Sequence, residues 1–217
     1  MTEPLSVVAV SGSLHNPSKT DVLIDEILRQ LAEELEVSSH VIRITDVGPQ
    51  FAGVLNRSEL PRSVEDELRR VETADLLVVA SPVYRASFTG LFKHFFDFVD
   101  QYALVDTPVL LAASGGSERH SLIVEHQLRP LFGFFQALTL PVGVYAHESD
   151  FNDYRIDSPL LVERIKTSIR RGLPLITSSV QEKRRIRQAL DEGEQVALPG
   201  SAPVAPQEPQ RTVRLYT

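Results

Sequence analysis

Five apolar runs of strand length alternate with helix-length patterns along this chain. The runs are Leu5–Ser11, Val37–Thr45, Asp75–Ser81, Thr107–Ser114 and Leu138–Ala146; the helical patterns fall at about Thr20–Leu35, Arg62–Thr73, Thr89–Tyr102 and Ser121–Ala137, with a last one from about Ser158 to Leu190. Strands joined by connections of this length cross over a sheet face instead of folding back as hairpins. The alternation therefore predicts an α/β fold: a three-layer sandwich with a five-stranded parallel sheet covered by helices on both faces. Right-handed crossovers, with an anion-binding turn after the first strand, suit the strand order 2-1-3-4-5.

The first strand-to-helix junction carries the strongest chemical signal. In VVAVSGSLHNPSKT, Val7 to Thr20, a strand runs into small and hydroxylated residues and then directly into a helix. Amide groups of such a turn and of the first helical residues converge on one point, where the helix dipole also favours an anion. Ser11, Ser13, Ser18 and Thr20 add hydroxyls there, and His15 and Lys19 can add positive charge. A phosphorylated ligand is the expectation. Neither G-x-x-x-x-G-K-[ST] nor G-x-G-x-x-G occurs, which excludes two familiar phosphate loops and leaves a hydroxyl-rich one. A plain turn with an N-cap serine is the alternative reading of this segment alone.

With 217 residues the chain suits one well-buried domain, expected over 1–190. A Pro-rich tail over 191–217 has prolines at 199, 203, 206 and 209 and no periodic apolar face, so it is expected to be flexible or docked on a neighbouring subunit. A formal charge of −7 argues against a general nucleic-acid binder, which needs a basic face. Cysteine is absent, which removes thiolate catalysis, disulfides and Cys-based zinc sites, and no metal is expected. The N-terminal segment lacks the pattern of a secretory signal and no window reads as a membrane helix, so a cytoplasmic location without a membrane partner is expected.

Two further segments stand at the carboxyl ends of strands three and four, where open parallel sheets bind ligands. In Ser81-Pro82-Val83-Tyr84-Arg85-Ala86-Ser87-Phe88-Thr89-Gly90, main-chain groups around Pro82 and Val83 can hydrogen-bond the edge of a flat heteroaromatic ring while Tyr84 covers it. Arg85 offers a cation to a phosphate or to a second, anionic ligand. A proline-stiffened loop ahead of a helix is the simpler reading. In Ser114-Gly115-Gly116-Ser117 the glycines let main chain approach a planar ligand, and they also permit positive φ in a tight turn.

Together, S-G-S-x-x-x-x-S-K-T after the first strand, S-P-V-Y-R-A-S-F-T-G-L-F-K-H-F-F-D after the third and S-G-G-S-x-x-H after the fourth resemble the NAD(P)H-dependent FMN reductases. Within these the pattern is most similar to the reductase components of bacterial sulfonate-utilising two-component monooxygenases, over about Leu5 to Ile176. The resemblance implies a flavodoxin-like fold, FMN and NAD(P)H as cofactors, and release of reduced FMN to a partner flavin-dependent monooxygenase. It implies that Ser13, Ser18, Lys19 and Thr20 meet the phosphate, that Pro82, Val83, Tyr84 and Arg85 meet the isoalloxazine ring, and that Ser114, Gly115 and Gly116 lie beside the ring. Ser11 and His15 join this cofactor-binding set on the chemistry of the first loop. Direct hydride transfer between stacked rings calls for positioning and for no catalytic acid or base. No dyad or triad is evident.

His94, Asp97 and Asp100 have helical spacing that could suit a metal, but a solvated or interface helix face is the simpler reading. In LIVEHQLRPLFGFF, the side chains of Leu128, Leu131, Phe132, Phe134 and Phe135 cover too many sides for a one-faced helix. A homo-oligomer, dimer or tetramer, through the third and fourth helices is expected. In the resembled reductases that helix builds a tetramer interface, and in some an inserted Tyr or His makes a π-bulge at the position His126 matches. Two rival readings stay open: an FMN-bound quinone, azo-dye or chromate reductase, and a flavodoxin-type electron carrier. Carriers are usually smaller and more acidic, and Arg85 with the paired glycines favours an enzyme with an open second site. No residue distinguishes NADPH from NADH.

Overall fold

Side-chain alternation along the central strands decides the layers. In β1 (Leu5–Ser11) Val7 and Ala9 join one buried cluster while Val8 and Val10 join the other. β3 (Leu76–Pro82) divides in the same way, with Leu76, Val78 and Ala80 opposite Leu77 and Val79. So does β4 (Pro108–Gly115), with Leu110 and Ala112 opposite Val109, Leu111 and Ala113. Strands buried on both faces read as unbroken apolar runs because a parallel sheet is covered twice. β2 (Val37–Arg43), at the edge, is half-buried or exposed at most positions.

The computed structural model describes residues 3–191. The sheet order is β2-β1-β3-β4-β5, every pairing parallel. One face carries α1 (Lys19–Glu34) and α6 (Pro159–Asp191), the latter within the compact unit as far as Val180. In α1, Leu23, Ile24, Ile27, Leu28 and Leu31 form the buried stripe. The other face carries α2 (Ile44–Phe51), α3 (Arg62–Thr73), α4 (Gly90–Asp97) and α5 (Arg129–Phe134). There Phe51, Phe92, Phe95, Phe96 and Phe132 are fully buried, each contributing about 1.5–3 kcal/mol of hydrophobic stabilisation. No helix among the described residues is long and apolar enough to cross a membrane. Of the expected tail at 191–217, Asp191 closes α6 and the rest lies outside the described residues.

The structure departs from the sequence expectation at four places. The strand expected to run to Thr45 ends at Arg43, where α2 begins; burial of Ile44 and Phe51 overrides the breakers Gly48 and Pro49 inside it. The third helix stops at Asp97, short of Tyr102. The fifth strand is split into β5 (Leu138–Thr139) and β6 (Val144–His147), both paired with β4. Pro141 supplies no ladder donor between them.

The fourth helix, expected over Ser121–Ala137, follows a 3-10 turn at Glu118–His120 and consists of a π segment at Val124–Leu128 and then α5. Pro130 has no N–H to give His126 O, so the α register cannot run through. Arg129 N–H reaches back five residues to Val124 O instead. The Arg129 guanidinium fixes the result, donating to Thr139 Oγ1 at 2.7 Å and Leu140 O at 3.1 Å while pairing with Glu125. Of the apolar residues expected to be surplus on this helix, Leu128, Phe132 and Phe135 are buried in the chain's own core; Phe134 is exposed.

Gly143, between the two short strands, leaves no room for a side chain: an added Cβ would stand 2.2 Å from Val124 Cγ1. Gly143→Ala should therefore cost about 1–3 kcal/mol in a urea unfolding titration. Combined with Val124→Ala it should cost less than the sum of the single variants. Strict additivity would show that this contact does not dock β6 on the π segment.

Candidate active site

The loops after β1, β3, β4 and β6 meet at the carboxyl end of the sheet around a cleft of roughly 650 Å³, a size ordinary for small-molecule sites. The loop after β1 supplies Ser13, His15, Pro17, Ser18, Lys19 and Thr20. Ser18 caps α1, its Oγ accepting from Thr20 N at 3.1 Å and Asp21 N at 3.3 Å. The cap takes up two helix N–H groups expected to be free for a ligand and leaves the Ser18 hydroxyl proton to donate outward. The amides of Leu14, Asn16, Ser18 and Lys19 have no hydrogen-bond partner among the described residues. These donors, the Lys19 ammonium and the dipole of α1 make a set suited to a phosphate.

Ser11 does not line the cleft. It is fully buried, donates to the Asp21 carboxylate and accepts from Ser13 N, so it braces the loop from beneath. Burial raises the Asp21 carboxyl above the ordinary aspartate range, against the opposing hydrogen bond from Ser11 and the charge of Arg43. Ser13 Oγ is spent within the loop, donating to His15 O at 3.0 Å and accepting from His15 N at 3.3 Å. His15 Nε2 and Tyr84 Oη, 3.0 Å apart, link the first and third loops.

Pro82, Val83 and Tyr84 line the cleft; Arg85 does not. Tyr84 and Ser87 exchange backbone hydrogen bonds of 2.8 and 2.9 Å around a two-residue turn, with Arg85 at φ 47° and Ala86 at φ 67°. Both residues pay about 1–2 kcal/mol for a left-handed conformation that glycine or asparagine would normally take. The turn aims Tyr84 at the cleft and turns Arg85 to solvent. Ser87 Oγ donates to Gln127 Oε1 at 3.1 Å, tying this loop to the π segment. Exposed His126, on that segment, borders a separate hollow of about 180 Å³ shared with Val83 and Ala86. His94 stacks against Phe51 and Phe98, and no cluster of possible metal ligands occurs among the described residues.

Ser114, Gly115 and Gly116 form the third wall. Ser114 Oγ and Thr20 Oγ1 lie 2.8 Å apart, and Ser114 O accepts from Val83 N at 2.8 Å. Neither glycine has positive φ, so the expected tight-turn role is replaced by close approach. At Gly115 an added Cβ would stand 2.5 Å from Tyr145 Oη and 3.2 Å from Val83 Cγ2; at Gly116 it would find Glu148 Oε2 at 3.5 Å.

β6 and the loop after it add Ala146, Glu148, Phe151 and Tyr154, none of which was expected from the sequence. The signal was a polar and aromatic run, HESDFNDY, at a fourth strand's carboxyl end. Glu148 Oε1 accepts from Lys19 Nζ at 2.9 Å, and Lys19 Nζ lies 5.9 Å from the centre of the Phe151 ring.

A family model described as NADPH-dependent FMN reductase matches residues 5–152. An NADH-dependent FMN reductase, SfnE, of Pseudomonas putida is 55% identical over 175 residues, 81% of this chain and 94% of that protein. An NADPH FMN reductase of Pseudomonas aeruginosa is 53% identical over the same shares. Among solved structures, the apo form of the NADH:FMN oxidoreductase EMOB superposes with a TM-score of 0.70 at 27% identity, covering 80% of this chain and 89% of that one.

The two glycines separate into different roles. Gly115→Ala should lower stability by about 1–3 kcal/mol, because Tyr145 Oη must leave its 2.5 Å hydrogen bond to Ser117 O. Gly116→Ala should leave the thermal midpoint within about two degrees of wild type, a cost within the roughly ±0.5 kcal/mol of ordinary surface changes. Equal destabilisation of both variants would contradict this assignment.

Proposed function

Because this chain belongs to the NADPH-dependent FMN reductase family, it is an oxidoreductase that reduces FMN with a nicotinamide dinucleotide, and we propose that the four-loop cleft is where it does so. The observation that carries this reading is the meeting of an anion-binding donor set with the Pro82–Tyr84 and Ser114–Gly116 segments in one cleft at the end of the sheet. The anion-binding set lies on the loop after β1, and Pro82, Val83, Ser114 and Gly115 line the same cleft. The amides of Leu14, Asn16, Ser18 and Lys19, with the Ser18 hydroxyl and the Lys19 ammonium, would hold the flavin phosphate. Main chain at Val83, Gly115 and Gly116 would flank the ring, with Tyr84 and Tyr154 as partly exposed aromatic borders.

When bound, FMN supplies the hydride-accepting chemistry. The protein's part is placement: Ser18 and Lys19 fix one end of the ligand, the strained Tyr84–Ser87 turn fixes a ring beside it, and Gly115 clears the approach. No side chain is assigned a proton-transfer role.

Reduced FMN is released to a flavin-dependent monooxygenase in this reading, in the cytoplasm where nicotinamide dinucleotides are used. The cleft borders support release, since Tyr84 is 39% and Tyr154 49% exposed. Relatives named for NADH and for NADPH are about equally similar to this chain, so both dinucleotides belong in the assay. Purified protein should oxidise either one with oxygen as final acceptor at a rate that rises with added FMN and saturates. Protein that purifies saturated with FMN, ignores added FMN and passes electrons efficiently to quinone would instead be a bound-cofactor reductase.

A second copy of this chain is the proposed occupant of the surface around Leu122 and Phe134, which are 60% and 65% exposed on the rebuilt fourth helix. Light scattering at micromolar concentration should give a dimer or tetramer, and Phe134→Asp should dissociate it. A monomeric wild type would refute this part of the reading.

A further inference from the structure

We propose that Glu148 sets how tightly the flavin phosphate is held, by competing with it for the Lys19 ammonium. The inference rests on the cleft being the FMN site. Lys19 is the only cation lining the cleft among the described residues besides the ionisable His15, and it sits at the start of α1 beside the anion-binding amides. Its ammonium hydrogen-bonds Glu148 Oε1 at 2.9 Å. A phosphate arriving at Lys19 must share or displace that carboxylate, and it meets the carboxylate's own negative charge as it does so.

The carboxylate is presented by a fixed piece of backbone. Glu148 opens a single 3-10 turn, Glu148–Asp150, closed by two reciprocal hydrogen bonds: His147 N to Asp150 Oδ2 at 2.9 Å and Ser149 N to His147 Nδ1 at 3.1 Å. Glu148 Oε2 also lies 3.5 Å from the site of a Cβ on Gly116. The hydrogen bond from Lys19 holds the Glu148 carboxyl below the ordinary glutamate range, which keeps it ionised at neutral pH, where Lys19 is charged.

The pair is weak enough to be broken. Its side chains are 30% and 66% exposed, and ion pairs in such surroundings are worth little in water. A phosphate dianion that also collects several amide bonds therefore wins Lys19, though with less net gain than if the ammonium stood alone. That is the arrangement expected of a site whose flavin must leave after reduction: the phosphate is recognised, and part of its attraction is already spent.

The test measures flavin affinity without turnover. FMN and riboflavin, which lacks the phosphate, are titrated by fluorescence quenching into full-length wild type, Glu148→Gln, Lys19→Gln and the double variant. Glu148→Gln should tighten FMN by roughly three- to tenfold and leave riboflavin unchanged, with the gain shrinking as salt rises. The gain should largely vanish in the Lys19→Gln background. Unchanged FMN affinity in Glu148→Gln, an equal change for riboflavin, or a full gain without Lys19 would each overturn the proposal. Wild type that binds FMN no better than riboflavin would instead refute the placement of the phosphate on the first loop, and this inference with it.

Discussion

β1, β3 and β4 are buried on both faces, and this constraint organises the rest of the molecule. A strand with helices above and below has almost no exposed side chain along its length to bind or react with anything; in these three only Ser6, near the start of β1, is exposed. Only its ends are free, and in parallel strands the carboxyl ends all point the same way. The polar residues of this chain that are buried and yet near solvent, Ser13, Ser18, Thr20 and Ser114, are concentrated there. The core and the site are thus two results of one arrangement.

Burying hydroxyls at the base of a cleft is costly unless each is satisfied, and here they satisfy one another across loops that are far apart in sequence. Thr89 Oγ1 donates to Gly12 O at 2.7 Å, Thr20 bonds Ser114, and Gly12 N donates to Ala80 O at 2.7 Å. No buried side-chain nitrogen or oxygen among the described residues lacks a partner. The loops after β1, β3 and β4 are therefore clamped together by their own polar groups. Their remaining donors are held in place before a ligand arrives, which cuts the ordering cost of binding.

Strand order, layers and three of the four cleft loops were legible in the sequence because each rests on a local pattern: an unbroken apolar run, a helical stripe, or a cluster of small residues at a strand's end. What escaped depends on contacts between distant segments. α2 contains Gly48 and Pro49 and reads as a loop until Phe51 is seen packed among Phe95, Phe98 and His94. Arg85 looked like a ligand-facing cation, but the left-handed turn that directs it outward uses residues with no turn signature. Ser11 looked like a ligand donor, and only the proximity of Asp21 reveals its bracing role. Glu148 has no motif at all; it matters because β6 ends opposite Lys19.

The π segment shows how one residue's missing proton propagates to the cleft. Pro130 has no N–H for His126 O, and just ahead of it Val124–Leu128 takes the wider π turn, with Arg129 N–H bonded to Val124 O. Widening moves Glu125, His126 and Gln127 onto the exposed side while Val124 and Leu128 remain buried. Gln127 then meets Ser87, on the far strand of the turn that carries Tyr84. Val124 in turn occupies the space that Gly143 leaves, which holds β6 beside β4 and so fixes where Glu148 emerges. A register change in the fourth helix is thereby connected, through contacts on two sides, to both the ring-side loop and the residue facing Lys19. An α-helical turn at the same place would change the angle between Gln127 and Val124 about the helix axis, so the two could not both keep their present contacts.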